Sequence, residues 1–141
     1  VQILQTGIFI SIKPPYCKLI KSQEKVNEFR SKIPKLPVNH FWIYESAPSS
    51  SLKYCAIVGT PVHFPDKVKE IGYGDQSFNE GNSKYTYAYP ILQIYELTEA
   101  IPLKILKEMY QFSPPQGFAY CGRYPKLDIY LKNHAQWREV F

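Results

Sequence analysis

The strongly apolar stretches of this chain are short, alternate in polarity and lie against prolines, which restricts it to small strands joined by turns. Gly7–Lys13, GIFISIK, sets Ile8, Ile10 and Ile12 against Phe9, Ser11 and Lys13, the two-residue period of a half-buried strand. Pro14 and Pro15 then end any ladder. His40–Glu45, HFWIYE, is a second β segment, without Gly or Pro. Tyr54–Val62 is a third, with Gly59 as a bulge or close-approach point and Pro61 near its end. Lys25–Arg30 and Tyr85–Leu97 read as strands, the latter interrupted at Pro90, and Lys126–Leu131 as a last short strand or a short appended segment. Helical spacing is confined to Pro15–Ser22, Asp66–Ile71 and Ile101–Tyr110. The first and third of these have a proline in or next to the first turn, where no N–H is needed. SKIPKLP, Ala47–Leu52 and the polar Gly72–Lys84 segment read as loops, and PPQGFAY as a turn entering a strand.

Prolines outnumber glycines 12 to 7, and aromatics reach 16% with 12 tyrosines, a composition that favours short strands over long helices. At 141 residues the chain is expected to be one domain, 1–141. The expected fold class is mainly β with short helices (α+β): a curled barrel or open sheet with helices at its rim, because closure protects strand edges.

The net charge of +5 and pI near 9.0 suit a polyanionic partner, since Lys and Arg displace counterions from phosphates. Cys17, Cys55 and Cys121 are odd in number and form no CxxC or local Cys/His cluster. Neither a disulfide scaffold nor a metal site is therefore expected, and free thiols point to an intracellular, cytoplasmic or nuclear setting. No apolar run is long enough to cross a membrane. His40, His63 and His134 are scattered, and no G-x-S-x-G elbow, P-loop or dinucleotide fingerprint occurs. No cofactor is expected.

Three stretches carry a family resemblance. Ser11–Arg30, SIKPPYCKLIKSQEKVNEFR, resembles the ASCH branch of the PUA-like folds, in which a strand ending in S-I-K-P precedes a short helix and a G-x-K-x-x-E-x-R signature. Lys25, Glu28 and Arg30 stand at the signature's Lys, Glu and Arg, while Gln23 replaces its Gly. PPQGFAY is similar to a P-P-Q-aromatic run in that family, and WIYESAP, Trp42–Pro48, to its strand ending in a small-residue turn. The likeness spans about 7–120 and leaves 121–141 as a C-terminal extension. It implies a PUA-like β-barrel with a cleft beside the first helix, and RNA, a nucleotide or a modified base as ligand. Some members are amidohydrolases of an acylated pyrimidine nucleoside, others are ribonucleases.

On that basis the candidate nucleic-acid-binding residues are Lys13, Tyr16, Lys25, Glu28, Arg30, Tyr44, Ser46 and Gln116. Strand alternation puts Glu28 and Arg30 on one face, where a carboxylate and a guanidinium can hold a planar polar base. Lys13 and Lys25 can meet phosphates. Trp42 and Tyr44 share a face and either fill the core or, for Tyr44, stack on a base. Lys25 and Glu28 are the catalytic candidates of a hydrolase reading. Glu28 stands where the hydrolases carry a threonine, which argues against a copied amidase site. Three readings stay open: a module binding RNA, or single-stranded or modified DNA; a small nucleoside or RNA hydrolase; and a protein-interaction domain.

Overall fold

The computed structural model describes residues 6–141. In chain order the elements are β1 (Thr6–Ile12), α1 (Pro14–Lys21), β2 (Asn27–Arg30), β3 (Val38–Glu45), β4 (Ser51–Val58), β5 (Val62–His63), α2 (Asp75–Asn79), β6 (Tyr87–Pro102), α3 (Leu103–Tyr110), β7 (Phe118–Tyr120), a 3-10 turn (Cys121–Arg123), α4 (Pro125–Asn133) and β8 (Trp137–Glu139). The strands form one curled sheet in the order β2-β6-β4-β3-β1-β7, with β5 and β8 also pairing with β6. This is the expected mainly β, α+β half-barrel with small helices around it.

β1 and β3 run parallel, with Ile8 opposite Phe41 and Ile10 opposite Ile43. A parallel pair needs a crossover. Here the crossover is α1, β2 and the SKIPKLP loop, which carries the Lys25–Arg30 signature across one end of the sheet.

The sheet buries both faces in its middle. One core gathers Ile8, Ile10, Ile12, Phe41, Ile43, Ala56 and Ile94 with Cys17 and Ile20 of α1. The other gathers Phe9, Trp42, Tyr44, Leu52 and Leu97 with Leu106, Phe112, Leu127 and Leu131. β1 is therefore not half-buried as its alternation suggests: Phe9 is as enclosed as Ile8 and Ile10, because α3 and α4 cover the face opposite the barrel interior.

Three further readings change. Lys126–Leu131 lies in α4, not in a strand. Pro125 sits in the helix's first turn, and Leu127 and Leu131, four apart, both point into the core. Residues 121–141 are correspondingly part of the fold, since β8 pairs with β6 and Val140 N–H donates to Ile94 C=O at 2.8 Å. The helix expected at Asp66–Ile71 forms instead at Asp75–Asn79, inside the segment read as a loop.

Candidate nucleic-acid interface

The turn between α1 and β2 fixes the first side of the site. Gln23 adopts φ 65°, the left-handed conformation for which glycine is the usual residue. The chain then reverses, and Lys25 N–H donates to Leu19 C=O at 3.0 Å. That reversal buries the Lys25 side chain beneath α1, just ahead of β2.

Lys25, Glu28 and Arg30 meet there. Arg30 donates from Nε to Glu28 Oε2 at 3.0 Å, and its Nη2 lies 2.9 Å from the same oxygen. Lys25 Nζ lies 3.7 Å from Glu28 Oε1 and 4.3 Å from the centroid of the Phe29 ring. Burial lowers the Lys25 pKa from its ordinary value; Glu28 and Asp75 act in the opposite direction. Arg30 also reaches, at 3.5 Å each, the carbonyls of Gly117 and Ser11. It thus spans the gap between β2 and the β1/β7 edge. The strand alternation that pairs Glu28 with Arg30 holds, but Lys25 precedes β2 and reaches Glu28 despite its opposite parity.

The segment 72–84 builds the facing wall. Tyr73 N–H donates to Glu24 C=O at 2.7 Å, and the Tyr73 ring lies 5.9 Å from that of Tyr16 on α1. Asp75 is fully buried. Its Oδ1 accepts from Asn27 Nδ2 at 2.9 Å and its Oδ2 from the Gly72 amide at 3.0 Å. This polar clasp fastens the wall to β2. Gly74 has φ 83°, and a Cβ there would come within 2.7 Å of the Phe29 ring, so the close approach requires glycine.

Between the walls lies a cleft of about 760 Å³, bordered by Lys13, Tyr16, Lys25, Glu28, Arg30 and Gln116. Six of the eight residues expected to contact a nucleic acid are thereby brought together. The cleft also takes in Tyr73, Ser77, Asn82, Ser83, Lys84 and Tyr85. The first five lie in a polar, glycine-rich stretch that reads as a loop, and Tyr85 reads as the start of a strand, so none stood out in the sequence. Tyr73 between two glycines, and the Lys84–Tyr85 pair, were the available signals. Along the lining, Lys13, Lys25, Arg30 and Lys84 face a single acid, Glu28, so the cleft is net positive.

Arg30, Tyr85 and Gln116 also border a second cavity, of about 460 Å³, that runs inward to Ile8, Ile10, Phe41, Tyr89 and Phe118. A hollow of mixed polar and apolar lining, with Ser31 and Lys32 also on its border, therefore adjoins the charged cleft.

Tyr44 and Ser46 stand elsewhere. Tyr44 is 4% exposed, its ring 6.0 Å from Phe112 on the face covered by α3 and α4. It is a core residue, turned away from the cleft by the same alternation that buries Trp42. Ser46 is half-buried and its amide donates to Ile12 C=O at 3.0 Å, which sets the end of β3 beside β1 without lining the cleft. Among the described residues no helix is long and apolar enough to cross a membrane.

No protein-family model matches the sequence, and no curated protein matches it. Solved structures do. ASCH from Zymomonas mobilis superposes with a TM-score of 0.70 at 23% identity, covering 93% of this chain and 96% of that one. Two single-substitution variants of that protein give TM-scores of 0.70 and 0.71 at 23% and 21% identity, each covering 94% of this chain. The chain thus has the fold of the ASCH protein from Zymomonas mobilis.

Proposed function

We propose that this ASCH-fold chain is a nucleic-acid-binding module that holds an RNA base or nucleotide in the cleft between α1 and the 72–84 wall. One observation carries the reading: Lys25 and Arg30 both meet Glu28 along the lining of a concave, net positive cleft. A carboxylate beside a guanidinium offers an acceptor and several donors to the edge of a planar base. Lys13 and Lys84 at the mouth supply point charges for phosphates, and the exposed Tyr16 and Tyr73 rings present faces for stacking.

The test is a titration of the protein with single-stranded RNA at rising salt. Binding is expected to weaken as salt increases. Arg30→Ala and Lys25→Ala are expected to lower affinity by at least about tenfold, corresponding to ~1.4 kcal/mol, with the circular-dichroism spectrum unchanged. Folded variants that bind like wild type would remove the cleft from consideration.

A second reading, a small hydrolase acting on an acylated nucleoside or on RNA, is favoured by the buried Lys25 with its lowered pKa beside Glu28. Turnover of either substrate that vanishes in Lys25→Ala and Glu28→Ala would establish it. Binding without turnover leaves the module reading in place.

A further inference from the structure

On the far side of the sheet from the cleft, three metal-ligating side chains from distant parts of the chain converge. They are His40 on β3, Cys121 at the start of the 3-10 turn and Asp128 in the first turn of α4. One ligand atom of each lies within 4.8 Å of the other two. His40 Nε2 is, among the described residues, the one buried side-chain polar atom with no hydrogen-bond partner. Enclosing such a nitrogen unpaired is costly, so it calls for an explanation.

The surroundings leave that nitrogen free and make room for its ring. His40 Nδ1 lies 2.7 Å from Asn39 Oδ1, which leaves Nε2 as the free end of a neutral ring. A Cβ at Gly7 would fall 2.1 Å from Nε2, so the β1 backbone makes room for the imidazole only because glycine stands there. Asp128 Oδ1 accepts from Trp42 Nε1 at 2.9 Å, a bond of the kind that orients a metal-binding carboxylate from outside. Its Oδ2 holds Lys132 Nζ at 3.1 Å, and Lys132 is half-exposed, free to swing into water. His40 and Lys132 border an open hollow of about 360 Å³.

We propose that His40 Nε2, Cys121 Sγ and Asp128 Oδ2 bind one divalent ion of the zinc class. One imidazole, one thiolate and one carboxylate suit a borderline-soft ion, and three protein ligands leave a fourth position to water. The two anionic ligands neutralise the ion. Without the ion Cys121 is a buried free thiol. Binding exchanges its proton for the ion: the S–H bond breaks, the S–metal bond forms, and the proton leaves to solvent with no change of oxidation state. Lys132 is displaced from Asp128 in the same event.

The test is titration of the full chain with Co²⁺ alone, in a non-thiol reductant. One equivalent is expected to bind with thiolate-to-cobalt charge-transfer absorption in the near ultraviolet, and Zn²⁺ to displace it. Cys121→Ser is expected to abolish the absorption although Cys17 and Cys55 remain. His40→Ala is expected to weaken binding by at least about tenfold. Lys132→Ala, which removes no ligand, is expected to bind more tightly than wild type. Ligation also has a readout that needs no variant: the ¹⁵N resonance of His40 Nε2 must move when Zn²⁺ is added to the wild-type protein. Absence of the charge-transfer band in large Co²⁺ excess, its persistence in folded Cys121→Ser, or an unmoved His40 resonance would each overturn the site.

Discussion

At the scale of single residues, the decisive property is how Lys25 reconciles burial with charge. Desolvation disfavours its ammonium, and Glu28 at 3.7 Å offsets only part of that loss. The folded chain therefore releases this proton at lower pH than the unfolded chain does. Between the depressed folded value and the ordinary lysine value of 10.5, the unfolded state binds more protons, so Lys25's contribution to stability rises with pH across that window. Denaturant midpoints of wild type and Lys25→Met, measured through the alkaline range, are expected to converge or cross in that direction. A difference between the two that is flat with pH would mean that Lys25 titrates normally. Gln23 is the second informative residue. Its positive φ explains how a signature position usually held by glycine still makes the turn. Gln23→Gly is expected to stabilise the protein by about 0.5–1 kcal/mol, by removing side-chain strain that a left-handed residue carries, read as a higher melting temperature.

At the scale of elements, β2 and the 72–84 wall are joined by the Asn27–Asp75 clasp. Asp75→Ala leaves the Asn27 amide and the Gly72 N–H without their acceptor in a buried place. It is expected to cost about 1–3 kcal/mol and to speed hydrogen exchange at Gly72 and Ile71 more than in β3 or β4. Uniform acceleration throughout the chain would instead mean that the clasp supports the whole fold. The cleft's first side was legible in the sequence because Lys25, Glu28 and Arg30 follow one another closely enough for a local motif to carry them. Its second side was not, since the 72–84 segment is held at the site by long-range contacts, the Asn27–Asp75 clasp and the Tyr73 amide on Glu24, that no periodicity announces. Asp75–Asn79 was passed over for a related reason: a helix of five residues has too few turns to show a pattern.

At the scale of the whole molecule, the strands were readable from alternation and the helices after Pro14 and Pro102 from their prolines. Two misreadings share one cause. β1 looked half-buried, and Lys126–Leu131, rich in β-favouring Ile and Tyr, looked like a strand. Both follow from α4, which packs Leu127 and Leu131 onto the face that Phe9 and Trp42 present; tertiary burial overrode local propensity. Leu131→Ala is expected to destabilise the protein by about 2–5 kcal/mol, measured by urea unfolding. A loss under ~1 kcal/mol would mean that the 121–141 segment is a dispensable appendage after all. The same helix closes over His40 and Cys121, so the ion site proposed there exists only when the C-terminal segment is in place.

The parallel ladder between β1 and β3 has an evolutionary corollary. A chain that must double back over the end of its own sheet carries there, in α1 and the 31–37 loop either side of β2, stretches that the sheet's register does not dictate. Substitutions in that bridge can retune which ligand is welcomed while the frame stands unaltered. Proteins with superposable frames can therefore differ widely in what they hold, and divergence among them is expected to accumulate first in the bridge.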